Sequence, residues 1–194
     1  MRVSFFLVWL MLLGSAASAE VLTSKEARSV LFSTKNEAIQ LSPALSKADQ
    51  ALIKNLVPLM EKQMRTPVWY YSSIAYSPDE GLVSEALQGA FNFHNVDAAD
   101  RAALSACNKA RKSGTSPCKL AARVLPKGYQ SRALTLSQDA TSGFTRLYKL
   151  DRGARAMAIS PTTGAWGIGA SDADAIRACK GDRALKDCKV VVRD

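Results

Sequence analysis

Apolar and polar positions recur along this chain with two periods, and their order gives the first outline of a fold. Leu52, Leu56, Leu59 and Met60 repeat at helical spacing behind Ser46, so the pattern predicts a helix over Lys47 to about Met64, capped by Ser46 and bent near Pro58. Upstream, Thr23 and Glu26 have the spacing of a capping box and open a short helix to about Phe32. Runs at Lys119 to Leu125, Arg132 to Leu136 and Lys189 to Arg193 read as strands. Two Ala-rich segments read as helices, one opening at Asn95 or Asp97 and ending before Gly114, the other opening at Ser171 or Asp172 and ending at Gly181. Ser137 or Asp139 starts a further helix through Tyr148.

The order of these elements repeats. Ile74-Ala75-Tyr76-Ser77-Pro78-Asp79-Glu80-Gly81 returns 83 residues later as Met157-Ala158-Ile159-Ser160-Pro161-Thr162-Thr163-Gly164. Proline presets φ for the second position of a turn and the following glycine accepts φ > 0, so Ser-Pro-x-x-Gly predicts a hairpin loop in each copy. A short strand-like run follows each loop (Leu82 to Leu87; Ala165 to Gly169), then helix, Cys, polar loop, Cys and a β-prone run. The reading is an α+β fold in which two divergent β-hairpin–α–β repeats share one mixed or antiparallel sheet, preceded by N-terminal helices. Its parts are a leader at 1–19, a helical segment at 20–66, a first repeat at 67–128, a connector strand and helix at 129–155, and a second repeat at 156–194. Residues 67–194 are expected to form one domain.

The leader is a secretory signal by pattern: Arg2, an apolar run Phe5 to Leu13, and Ala17-Ser18-Ala19 before Glu20. Nine apolar residues are too few to span a bilayer, which takes roughly twenty, and no later stretch qualifies. The expected location is therefore periplasmic or secreted, with no transmembrane segment in the mature chain. Export changes the reading of the four cysteines, Cys107, Cys118, Cys179 and Cys188, because disulfides persist there. Zinc is disfavoured by C-x10-C and C-x8-C spacings and a single histidine. Of the three pairings that four cysteines allow, the repeat favours Cys107–Cys118 and Cys179–Cys188, each joining a helix end to the next strand.

Charge is uneven. The chain of 194 residues carries a formal +9, and between Arg101 and Arg155 there are 12 Lys and Arg against only Asp139 and Asp151. If Lys109, Arg111, Lys112, Lys119, Arg123, Lys127 and Arg132 share one side, that side is a candidate site for an anionic envelope component or an acidic protein partner. Nucleic acid is not expected, since no DNA- or RNA-binding motif accompanies the charge.

Catalytic signals are sparse. G-x-S-x-G, H-E-x-x-H and C-x-x-C-H are absent, and no cofactor motif is present. His94 is the sole histidine, and Asp79/Glu80, Asp97/Asp100 and Asp172/Asp174 are the paired carboxylates, placed at turns and helix starts where capping explains them. A small envelope enzyme using His94 or one of those pairs is the alternative to a binding protein. Val68-Trp69-Tyr70-Tyr71, Tyr76, Phe91 and Phe93 are candidates for core or a stacking surface, and Trp166 for an anchor of the second hairpin.

The segment Ser160-Pro161-Thr162-Thr163-Gly164-Ala165-Trp166-Gly167, then a helix and Asp187-Cys188-Lys189-Val190-Val191-Val192, resembles a family of small exported bacterial domains of unknown function. In that family a Gly-Ala-Trp-Gly hairpin precedes a disulfide-linked helix and a final Val-rich strand. Over the whole chain, Ser77 to Ala86 followed by Phe91-Asn92-Phe93-His94 is similar to exported Gram-negative proteins, some of which carry the label 5-aminolevulinate synthase. That activity implies a larger cytosolic pyridoxal-phosphate enzyme with a Schiff-base lysine and a Gly-rich phosphate cradle, and these residues supply neither.

Overall fold

The structure, a computed structural model, describes residues 21–148, 153 and 155–194, so the expected leader at 1–19 lies outside the described residues. Thr23 opens α1 (Ser24–Val30) with a complete capping box, the Glu26 amide donating to the Thr23 hydroxyl and the Thr23 amide to the Glu26 carboxylate. Next comes β1 (Glu37–Leu41), and then Ser46 caps α2 (Lys47–Met64), which continues through Pro58. Residues 20–66 are thus not wholly helical, because β1 leaves them to pair with a strand from the first repeat.

The first repeat forms β2 (Ser72–Tyr76), β3 (Gln88–Ala90), α3 (Val96–Ala110) and β4 (Lys119–Pro126). The connector supplies α4 (Gln138–Gly143), which runs on as a π-helical turn over Phe144–Tyr148. The second repeat forms β5 (Ala156–Ile159), β6 (Trp166–Gly169), α5 (Asp172–Lys180) and β7 (Lys189–Arg193). The caps are the expected ones, with Asn95, Ser137 and Ser171 each accepting a backbone N–H from the first turn of its helix.

The fold is α+β, but the single shared sheet is corrected to two antiparallel sheets, ordered β1-β4-β2-β3 and β6-β5-β7. In both, the first strand of the repeat is central, its hairpin partner lies on one side and the returning strand on the other. The register shifts at matching steps, Ile74/Ala75 and Met157/Ala158. The outer sides of β4 and β7 are both used by the N-terminal segment. β1 pairs along β4, and Leu22 bridges to Val192, with its N–H on Val191 and its C=O receiving the Arg193 amide.

Each sheet is packed on both faces. Ile53 and Val57 of α2 bury Ile74, Ala122 and Val124, while Ala103 and Cys107 of α3 bury Ala75 on the opposite face. Ala175 and Cys179 of α5 cover Ala156 and Ala158, and Leu134, Leu136, Phe144 and Ala27 cover Met157 and Ile159. The N-terminal segment therefore serves both sheets, α1 the smaller one and β1 with α2 the larger.

Two strand readings fail. Arg132 to Leu136 forms no strand; Leu134 and Leu136 are apolar because they plug the smaller core. Leu82 to Leu87 is a series of turns, and the hairpin partner starts later, at Gln88. The two loop glycines also differ in cause. Gly81 takes φ +76°, as the turn requires, whereas a Cβ on Gly164 would lie 2.0 Å from the Asn92 carbonyl oxygen. Gly164 marks a close approach between the two repeats.

Candidate functional site

His94 sits at that approach, fully buried, and is a staple between the repeats. Its Nε2–H donates to the Ala165 carbonyl (2.8 Å), and its Nδ1 accepts the Ser137 N–H (3.0 Å), which fixes the neutral tautomer. Burial pushes its pKa down to about 4, against weaker opposing pulls from the Ala165 carbonyl, Asp139 and Asp187. Both ring nitrogens are occupied, so His94 has none left for a substrate. Asn95 Nδ2 donates to the Pro161 carbonyl beside it, and Trp166 packs on Gly143 with its Nε1–H on Asp139 (2.7 Å).

The paired carboxylates are likewise engaged. Asp79 and Glu80 accept the Ser116 and Lys112 amides (2.6 and 3.1 Å), tying the first hairpin to the Cys107–Cys118 loop. The Ser116 hydrogen bonds hold the Asp79 carboxyl below the usual range. Asp97 lies in the first turn of α3, while Asp100 is buried, accepting the Ser73 hydroxyl (2.6 Å) and a two-nitrogen contact from Arg123. Asp172 pairs with Arg193, and Asp174 joins the Ser171 cap and Arg177. Both disulfides, Cys107–Cys118 and Cys179–Cys188, are formed, so the chain is disulfide-stabilised.

The seven basic candidates are spread along β4 and its flanks. Lys109, Arg111, Lys112 and Lys119 gather at its disulfide end; Lys127 and Arg132 follow its other end, and Arg123 lies between. Three have structural work. Arg111 holds Thr115 and Asn108, Arg123 holds Asp100, and Arg132 donates to the Val30 carbonyl (2.6 Å) with its guanidinium 3.5 Å above the Phe32 ring.

Arg123 leads to a site that the sequence did not single out. β1 is the outermost strand of its sheet, and its residues are exposed from Glu37 to Gln40. The Ser42 amide bonds to the Ala121 carbonyl and the Lys127 amide to that of Asn36, so Ala38 and Gln40, in register with Leu125 and Arg123, face β4 with their backbone groups. The N–H and C=O groups of Glu37, Ile39 and Leu41 therefore point outward. Among the described residues no strand pairs with them. β1 carries no lysine, proline or bulge, and Glu37 is its one charged residue.

A groove of about 460 Å³ lies beside this edge on the α3 face of the sheet. Ala38, Gln40, Arg123 and Leu125 form its floor, and Val96 of α3 and Tyr129 wall it. Pro126 and Gly128 turn the chain so that Tyr129, its N–H on the Pro126 carbonyl, stacks edge-on against buried Tyr71 (5.7 Å) and near Phe32 (5.9 Å). Asp100 engages Nε and Nη2 of Arg123 but leaves its Nη1 without a partner among the described residues. The result is an anchored guanidinium on the floor of a groove of mixed polarity. The Pro-Lys-Gly-Tyr turn was the available signal in the sequence; β1 had none.

Comparison with protein-family models, curated proteins and solved structures finds nothing that matches this chain.

Proposed function

We propose that this is an exported binding protein that docks an extended segment of a partner protein on β1, as a fifth strand of the larger sheet. The observation that carries this reading is the outward row of N–H and C=O groups at Glu37, Ile39 and Leu41 next to the Tyr129 groove. Main-chain hydrogen bonds along such an edge supply affinity, and side chains that alternate into the groove supply specificity. A segment in this place sends every second side chain to the Ala38 and Gln40 side, over Leu125, Val96 and Tyr129. The Arg123 side chain on the groove floor favours an acceptor such as a carboxylate there.

Export rests on the leader pattern and the resemblance to exported domains, and two disulfides fit it; among the described residues no helix is long and apolar enough to cross a membrane. An enzyme built on His94 loses support, since the ring is fully buried with both nitrogens bonded.

The test is selection from a displayed random-peptide library on the immobilised wild-type protein, with Ile39→Pro as control. Proline at 39 removes an outward N–H and no bond to β4, so the fold persists. Enriched peptides that bind wild type and lose binding to Ile39→Pro support the proposal. Failure to enrich peptides, or binding unaffected by Ile39→Pro, refutes it.

A further inference from the structure

The two disulfide loops occupy equivalent places in their repeats but differ in charge. In the first, the carboxylates of Asp79 and Glu80 reach from the hairpin to the loop's Ser116 and Lys112 amides, and Asp79 lies near the Arg111 and Lys119 cations. Glu85 adds a third acid to the same hollow. At the positions of Asp79 and Glu80 the second repeat has Thr162 and Thr163. Its hairpin thus sends no carboxylate toward the loop closed by Cys179–Cys188.

That loop and its flanks are cationic. Arg177, Lys180, Arg183, Lys186 and Lys189 are all exposed, against Asp182 and Asp187 in the same stretch. Asp187 is turned inward, accepting the Ser160 hydroxyl (2.8 Å) and the Thr162 hydroxyl (2.5 Å), and Arg177 is held by Asp174. Among the described residues, Lys180, Arg183, Lys186 and Lys189 have no partner. Asp182 alone is left to offset them locally. Beside them lies a shallow hollow of about 540 Å³ on the outer side of α5, floored by Ala173, Ile176 and Ala184 and rimmed by Arg177 and Lys180.

Unpartnered cations on one end of the repeat fit a surface that presents negative charge over its whole area, as an anionic phospholipid bilayer does; an acidic protein is the rival that the vesicle experiment tests. We propose that the end of the second repeat formed by 180–189 docks on an anionic phospholipid surface, with the four unpaired cations on headgroup phosphates. The β1 edge belongs to the other sheet, so the two contacts are separate surfaces.

The experiment is co-sedimentation of the full-length exported protein, both disulfides intact, with phosphatidylcholine vesicles and with vesicles containing about one-third phosphatidylglycerol. Binding is expected only to the anionic vesicles and is expected to fall steeply with salt. The triple reversal Lys180→Glu, Arg183→Glu, Lys186→Glu should weaken it about a hundredfold or more, since one cation near such a surface is worth roughly fivefold. The corresponding reversal in the first loop, Lys109→Glu, Lys112→Glu, Lys119→Glu, should change it far less. All six side chains are exposed, and thermal melting verifies that both variants fold. Millimolar inorganic phosphate should not displace the protein if the bilayer is the ligand; displacement means a free-phosphate site and overturns the proposal. Equal sedimentation with both vesicle types overturns it, as does a larger loss from the first-loop reversal.

Discussion

His94→Gln gives a stability difference that depends on pH in a calculable way. In the wild type the ring is neutral and buried, with a folded pKa of about 4 against an ordinary value of 6.5. A lowered folded pKa means that the unfolded chain takes up the proton first, so the stabilisation is complete above pH 6.5 and is lost as pH falls toward 4. A difference of about 2.5 pKa units corresponds to roughly 3 kcal/mol in full, of which about 2 kcal/mol is gone by pH 5. The glutamine side chain does not titrate. At pH 7 the substitution should cost about 1–3 kcal/mol, through imperfect replacement of the hydrogen bonds to Ala165 and Ser137. The penalty should then shrink as pH falls to 5. Urea denaturation of both proteins at pH 7, 6 and 5, with disulfides intact, measures it. Carboxylates with lowered pKa values, such as Asp79, Asp187 and Asp194, also lose stabilisation in acid, but equally in both proteins. A penalty that stays constant between pH 7 and 5 would refute the assignment of His94 as a neutral staple.

Further substitutions separate local causes. Gly164→Ala should destabilise by more than about 2 kcal/mol because its Cβ meets Asn92 backbone, while Gly81→Ala, with open space but φ +76°, should cost about 1 kcal/mol; thermal melts rank them. Replacing both Cys107 and Cys118 by Ser should cost roughly 3 kcal/mol, and the Cys179/Cys188 pair about the same, by denaturant midpoints. Asp100→Ala should cost about 2–3 kcal/mol, since it strands the buried Ser73 hydroxyl and frees Arg123, and it should weaken peptide binding at the groove, read by titration. Truncation to 66–194 removes β1, α2 and the Leu22 bridge; circular dichroism should show loss of cooperative folding.

Local signals carried well from sequence to structure where chemistry is local. Thr23, Ser46, Asn95, Ser137 and Ser171 announced their helices because a cap needs one side chain and one amide three residues on. The cysteine pairing followed from the repeated order of elements. What failed depended on distant partners. Leu134 and Leu136 alternate like a strand, yet they are spaced to enter a core from an extended connector. β1 shows no alternation because both of its faces are exposed from Glu37 to Gln40, so nothing in Glu37 to Leu41 distinguishes it from a loop. The groove was missed with it, since Tyr129, Arg123 and β1 are brought together only by the β1–β4 register. The basic residues were legible as a segment but not as a surface, because the length of β4 separates those at its disulfide end from Lys127 and Arg132.

Per-residue amide hydrogen exchange, followed by NMR with and without a library-selected peptide, tests strand addition at β1 most directly. Protection should rise at Glu37, Ile39 and Leu41 and stay unchanged at Ala38 and Gln40, whose amides already face β4. Uniform protection across β1, or protection confined to another element, would contradict docking on this edge.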